Sequence, residues 1–363
     1  MNLTIVLTLK GRENFTYRWM SYMNDMKCPY KILIADGGTD INLQNHLMNY
    51  ENYPNLRYEY IKYPTDINVD AFYSKFVDAI GKVETDYILL GDNDDFFLLE
   101  KIPEMIEFLE DNPGFSAARG LLVNLKVLDE KNRSVPRAVG EKYIATLVKA
   151  PGIMNEFPID RIEVMCKEMS KYDYYSNWYA VTRTKLLVGI WQKLLSLSIK
   201  EVIILEIMTH TLLLEAGKIK IFDAPFYIRQ SGTSSFGDTL VVNNSFLERC
   251  LINNSLTEIS FVVENMMELA TREEQIKVMK SIAAWLDLFL ENIRTRNYLH
   301  ERRLSQLRLI VDTLPFIGLI AQKINQVLRI LFNRSPIQKS IRLREIEPYV
   351  LVSSKRDFLK RTL

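Results

Sequence analysis

The first hundred residues alternate between two hydrophobic periods. The runs Leu3–Leu9, Lys31–Ala35, Arg57–Ile61 and Tyr87–Leu90 are apolar throughout or alternate residue by residue, which is the pattern of strands covered on one or both faces. Between them apolar positions recur every three or four residues: Phe15, Trp19, Tyr22 or Met23, and Met26 after the first run, then Phe72, Phe76, Ile80 and Val83 before the fourth. That spacing predicts helices that each lay one face on a sheet. Ile102, Met105, Ile106 and Leu109 predict another helix, with Pro103 tolerated in its first turn and Asn112-Pro113-Gly114 ending it. Ala117–Val127 followed by the polar stretch Asp129–Arg133 predicts an antiparallel strand and hairpin. Strands and helices in this alternation predict an α/β fold built on a parallel sheet.

Strand signals stop near residue 245, and helix starts become legible. Ser255/Glu258, Thr271/Glu274 and Ser335/Gln338 each fit a capping box, with Pro336 reinforcing the last. The chain is therefore expected to divide into an α/β domain over 1–240 and a helical region over 241–363.

Composition changes this picture little. With 46 basic and 45 acidic residues, overall charge does not mark a nucleic-acid binder. The 3 cysteines Cys28, Cys166 and Cys250 are widely spaced, so neither a disulfide framework nor a cysteine-rich zinc site is suggested, and a cytoplasmic location is expected. Met1–Val6 lacks the features of a signal peptide, and the longest apolar stretch, Leu314–Ala321, is interrupted by Pro315 and Gly318.

The chemistry concentrates where the fourth strand ends. Tyr87–Gly91 runs directly into Asp92-Asn93-Asp94-Asp95, and carboxylates this close repel unless a cation sits among them. At the carboxyl end of a parallel strand that cation would be a divalent metal carrying a diphosphate; a solvated acidic turn capping the next helix is the other reading. The second strand ends likewise in Asp36-Gly37-Gly38-Thr39-Asp40, which is also a common tight turn. No Gly-x-Gly-x-x-Gly follows the first strand, so this is not a dinucleotide fingerprint.

Taken together these segments resemble the inverting family two glycosyltransferases of the GT-A fold, of the bacterial surface-polysaccharide type, over about residues 1 to 236. Thr8-Leu9-Lys10-Gly11-Arg12 stands where the family has a Thr-x-Asn-Arg-like turn, with Lys10 in place of Asn. Asp36–Asp40 and Asp92–Asp95 match the two acidic segments, and Lys75 lies near a usual Arg. Pro225-Phe226-Tyr227-Ile228-Arg229-Gln230-Ser231-Gly232-Thr233-Ser234-Ser235 resembles the closing loop, with Gln230 where a metal-ligating His is often found.

The resemblance implies a Rossmann-like mixed, mainly parallel sheet with helices on both faces, and a nucleotide-diphosphate sugar, UDP-sugar favoured, as donor. It implies that Thr8, Lys10, Arg12, Asp36, Lys75, Asp92 and Arg229 bind the donor nucleotide, Asp36 at the base and Asp92 at the ribose. Asp94 would ligate Mg²⁺ or Mn²⁺ on the diphosphate, and Arg229 would neutralise charge developing on the leaving group. Glu206, ahead of Gly217 and the predicted strand Lys218–Phe222, takes the place of the general base; Glu201 and Glu215 are its rivals, and a helix-surface Glu is the bland alternative.

The acceptor is expected to be a hydroxyl of a glycan or lipid-linked molecule. Tyr172-Asp173-Tyr174-Tyr175-Ser176-Asn177-Trp178-Tyr179 suits a sugar pocket and equally a half-buried strand; Trp178 and Asp95 stand as acceptor-side candidates. A lone His210 reads as a packed helix residue. Near the C-terminus an apolar helix face, Phe316 to Leu331, adjoins a basic excess that includes Arg334, Lys339, Arg342, Arg344, Lys355 and Arg356. It would either seat the protein peripherally on an anionic membrane surface or pack onto the catalytic domain or a homodimer partner. A sugar-nucleotidyltransferase, or an inactive glycan-binding or scaffold module, are the alternative functions.

Overall fold

In the computed structural model the described residues are 2–127, 143–148, 150, 152–171, 177–197, 199, 202–231, 255–267 and 271–285. All four predicted strands form: β1 (Leu3–Leu9), β2 (Lys31–Asp36), β3 (Arg57–Lys62) and β4 (Tyr87–Gly91). They lie in the order β3-β2-β1-β4, every adjacent pair parallel. The chain builds outward from β1 in one direction and then returns to β1's other side with β4. This reversal opens a crevice at the carboxyl ends of β1 and β4, the place where open α/β sheets bind ligands.

The strands between are covered as their periodicity requires. Leu3, Ile5, Leu7 and Leu9 of β1, with Ile32, Ile34 and Leu89, face α1 (Glu13–Asp25), α2 (Ile41–Met48) and α4 (Ile102–Asp111). Val6, Leu33, Ala35, Ile88 and Leu90 face α3 (Val69–Gly81), α6 (Thr184–Ser196) and α7 (Val202–Ala216) on the other side. Strand side chains alternate in direction, so a strand buried on both faces reads as continuously apolar. The helices start where local chemistry permits: Asp40 accepts from Asn42 N and Leu43 N at 2.7 and 2.9 Å, and Asn68 accepts from Ala71 N at 2.8 Å.

Beyond β4 the sheet becomes mixed. The two-residue β5 (Phe96–Phe97) pairs antiparallel with β9 (Lys218–Ser231), while β6 (Phe115–Val127) pairs antiparallel with β7 (Tyr143–Val148) and β8 (Val181–Arg183) and parallel with β9. The β6–β7 pairing is the expected hairpin; its turn lies outside the described residues. The segment Pro225–Ser231, expected as part of a closing loop, is instead the second half of β9. Pro225 is accommodated at an irregularity in the β6·β9 register, where Gly120 lies so close to Ala224 and Phe226 that a Cβ would stand 2.5 Å from both. Gly232 to Ser235 lie outside the described residues.

α5 (Pro158–Lys171) and α8 (Ser255–Met266) complete the second face, with a further helix over 272–285. The Thr271 capping box forms reciprocally: Thr271 N donates to Glu274 Oε2 at 2.9 Å and Glu274 N to Thr271 Oγ1 at 3.2 Å. Ser255 and Glu258 both lie in α8, whereas Ser335/Gln338, the apolar face after Phe316, the basic segment after Arg334, Cys250 and His300 lie outside the described residues. Among the described residues no helix is long and apolar enough to cross a membrane.

Candidate active site

Three loops meet at the crevice. The β1–α1 turn is sharp: Gly11 and Arg12 adopt left-handed φ values of 68° and 63°, a conformation that a non-glycine residue holds only under constraint. From this turn an ion pair crosses the crevice, Arg12 Nη1 to Asp94 Oδ2 at 2.8 Å. Asn93 adds to it by donating to Thr16 Oγ1 at 3.0 Å. The acidic turn after β4 is thereby fastened to the start of α1.

Asp92, Asp94 and Asp95 come together at that turn, each presenting a carboxylate oxygen within 4.8 Å of the others. At such distances each pair repels by about 3 kcal/mol at an effective dielectric of 20. Burial, followed by repulsion from Asp94, pushes Asp92 up to about 6; Asp95 is raised well above the ordinary carboxylate range by burial and by both neighbours. Chain donors meet part of this charge. Tyr179 donates to Asp92 Oδ2 and Tyr227 to Asp95 Oδ2, while Gln230 N donates to Asp95 Oδ1 at 2.8 Å. Asp95, an acceptor-side candidate, is thus buried and bonded to β9 through both oxygens.

Arg18, which sequence reasoning missed, is the most deeply buried charged residue among those described, 0% exposed. Its guanidinium lies between the rings of Phe15 and Phe96, donates to Asn93 O at 2.9 Å, and bonds Gln230 Oε1. Burial lowers its pKa to about 9, against the attraction of Asp94 and Asp95. A charge at position 18, in step with Phe15 and Tyr22 on the buried face of an amphipathic helix, was the signal available in sequence.

Asp36 ends β2 at the neighbouring position. It accepts from Gly38 N at 2.7 Å on Oδ1, and from Tyr60 OH at 2.6 Å and Lys62 Nζ at 3.1 Å on Oδ2. Lys75 points inward: its ammonium bonds Asp66 Oδ2 at 2.5 Å and Leu9 O at 2.8 Å, and it is 4% exposed. Burial lowers the Lys75 pKa, with Asp66 opposing. Thr8 and Lys10 lie at the end of β1 and in the turn after it, Thr8 in register with Ala35 of β2.

Glu206 reaches the same region from α7. This helix is apolar around its circumference, with Ile204, Leu205, Ile207, Met208 and Leu212 buried, so an acid within it stands out. Arg161 fixes the end of α7 by donating to Leu214 O and Glu215 O, at 2.5 and 2.9 Å. Burial pushes Glu206 up to about 7, Arg229 draws it down, and Asp92 raises it. Arg229 likewise draws down Asp92 and Asp95, so one guanidinium on β9 serves both the acidic turn and α7. Glu215 sits in the last turn of α7 beside Arg161, roughly 13 Å along the axis from Glu206. Glu201 lies outside the described residues.

Trp178 is partly buried, stacked on Phe76 at 5.4 Å and edge-on to Trp191 at 5.4 Å. His210 is packed as expected, with Nε2 accepting from Asn177 N at 3.2 Å. Tyr172 to Ser176 lie outside the described residues.

No family model matches this chain, and no curated protein does. Among solved structures it is similar to S. aureus TarS, residues 1–349, in complex with UDP, at 15% identity over 78% of this chain and 71% of that one, TM-score 0.44. It is similar to the same fragment with UDP-GlcNAc at 14% identity, covering 81% and 83%, TM-score 0.43. It is also similar to the mannosyltransferase PcManGT from Pyrobaculum calidifontis with GDP-Man and Mn²⁺, at 10% identity over 97% and 85%, TM-score 0.46.

Proposed function

We propose that this protein is a metal-dependent glycosyltransferase that moves a sugar from a nucleotide-diphosphate sugar, UDP-sugar favoured, to a hydroxyl of a glycan or lipid-linked acceptor, with inversion. The observation that carries the proposal is the convergence of the Asp92, Asp94 and Asp95 oxygens within 4.8 Å at the carboxyl end of β4, with a fourth acid, Glu206, within Asp92's electrostatic reach and pushed by burial up to about 7. Glycosyl transfer needs both: a site for the diphosphate's charge and a base for the incoming hydroxyl.

The donor set fits a hard divalent ion. Carboxylate oxygens suit Mg²⁺ or Mn²⁺, and three of them brought together against their own repulsion favour a cation. Such an ion, held by Asp94 and Asp92, would neutralise the diphosphate and make the nucleotide a better leaving group. Arg12, with a side chain 26% exposed, is placed to exchange Asp94 for a diphosphate oxygen. Arg229 supplies a permanent second positive charge where negative charge develops as the glycosidic bond breaks. Asp36, with Tyr60 and Lys62, offers the base an acceptor and a donor side by side. Glu206, ionised above about pH 7, takes the proton from the acceptor hydroxyl as it attacks the anomeric carbon opposite the leaving nucleotide.

Binding tests the proposal directly. UDP or GDP with Mn²⁺ is expected to raise the melting temperature of the wild type and not of Asp94→Ala. Equal shifts in the two proteins would refute metal-assisted donor binding. A screen of donor hydrolysis across nucleotide sugars then identifies base and sugar. A sugar-nucleotidyltransferase would instead release pyrophosphate from a nucleoside triphosphate.

A further inference from the structure

Two of the contacts that shape the acidic turn meet at a single side chain. Arg18 of α1 donates through Nη2 to Asn93 O at 2.9 Å, and through Nη1 to Gln230 Oε1. Asn93 is the residue between Asp92 and Asp94, and Gln230 anchors the third acid, its backbone N–H donating to Asp95 Oδ1 at 2.8 Å. One guanidinium thus joins the segment that carries the triad to the strand that holds it. The guanidinium is a planar, rigid fork, so it fixes the separation of the two oxygens it binds, and with it the place of the turn against β9.

Stability alone gives no reason for a charge at this place. Both hydrogen bonds of Arg18 go to neutral oxygens, and its Nε is buried without a partner. The rings of Phe15 and Phe96 flank it, with centroids 4.8 and 4.5 Å from the guanidinium carbon. Asp94 and Asp95 attract it only across space. A buried charge bonded to neutral groups costs several kcal/mol that a well-packed apolar side chain would not.

Resting on the divalent-metal reading of the turn given above, we propose that Arg18 is a positioning residue that presets the carboxylates for their cation, holding the turn in its ligating shape before any ion arrives. Charge and positioning act here with opposite signs. A fixed positive charge near the triad opposes a second cation, so by Coulomb's law alone its removal tightens metal binding. Loss of a group that orients metal ligands weakens binding instead, by about tenfold or more. An arginine that only fills the core affects the fold and leaves the metal affinity of the folded protein where it was.

The test is titration of the full chain with MnCl₂ alone, free Mn²⁺ being followed by electron paramagnetic resonance, on wild type, Arg18→Met, Gln230→Leu and Asp94→Ala. Methionine spans the gap between the two rings without a charge. Gln230→Leu keeps both the charge of Arg18 and the backbone N–H on Asp95, and removes only the side-chain tether. Folded Arg18→Met is expected to bind Mn²⁺ about tenfold or more weakly than wild type, and Gln230→Leu to move in the same direction. Should Arg18→Met fail to fold, Gln230→Leu is judged by the same criterion. Amide hydrogen exchange of wild type supplies a measurement that needs no variant: residues 92–97 are expected to be protected already in the absence of Mn²⁺.

Unchanged or tighter Mn²⁺ binding by folded Arg18→Met overturns the inference, as does a turn that exchanges freely until Mn²⁺ is added. If Mn²⁺ still binds wild type and not Asp94→Ala, the metal assignment survives either result. Failure of Mn²⁺ to bind wild type removes both.

Discussion

Glu206→Gln should make the protein less active and more stable, and the size of the second effect follows from the site. Burial and Asp92 hold the Glu206 carboxyl at about 7 against an ordinary 4.5. The native state therefore keeps a proton that the unfolded chain releases, and stability is lost as pH rises between those two values. That displacement corresponds to about 3 kcal/mol once pH exceeds 7, and to under about 1 kcal/mol at pH 5. Glutamine preserves the shape and cannot ionise. At pH 8 urea denaturation followed by tryptophan fluorescence should show Glu206→Gln more stable by up to about 3 kcal/mol, and the gain should shrink below about 1 kcal/mol at pH 5. Turnover should fall by about two to four orders of magnitude, the usual worth of a general base. Wild-type turnover should rise with pH through about 7. A variant that retains activity, or whose stability gain is the same at pH 5 and pH 8, refutes the assignment of Glu206 as a buried base.

Two other perturbations probe the surroundings. Arg229→Gln removes the charge that draws Glu206 down, so the acidic limb of the pH–rate profile should move to higher pH while turnover drops; an unmoved limb would separate Arg229 from the base. Lys75→Ala strands the buried Asp66 carboxylate and should cost about 3 to 5 kcal/mol by denaturation. Lys75→Met combined with Asp66→Asn should recover much of that loss. Equal losses in the single and double variants would exclude the pair as the cause.

The parallel half of the sheet was legible because burial on both faces leaves an unmistakable trace: β1 to β4 fall within one residue of the apolar runs. The second half was harder to read. β8 is three residues long and β5 two, shorter than any periodicity can register, and each exists through its partners, β5 by pairing with β9 and β8 with β4 and β6. β9 crosses Pro225, an ordinary stop signal, because β6 tolerates an irregularity there. A Gly/Ser/Thr-rich tail also made Pro225–Ser231 resemble a loop. Local composition is a poor guide where a long-range partner supplies the hydrogen bonds.

The site divides the same way. Asp36, Asp92, Asp94 and Glu206 announced themselves by standing at the ends of apolar strands or inside an apolar helix, where an acid needs a reason. Arg18, Asp66, Tyr179 and Tyr227 act through contacts that span between 9 and 212 positions along the chain, and no spacing rule reports such pairs. Yet they decide how the acids behave. Three carboxylates in a solvated turn would ionise together and drift apart. Here Arg18 ties Asn93 to Gln230, and the stacked tyrosines, Tyr179 from the turn before β8 and Tyr227 from β9, bond Asp92 and Asp95. The repulsion therefore cannot relax by movement, and it persists as raised pKa values and as attraction for a cation. The strand ends supply the charges; the buried network keeps them from escaping one another, and that confinement is what makes this acidic turn a group of carboxylates that could hold a metal ion.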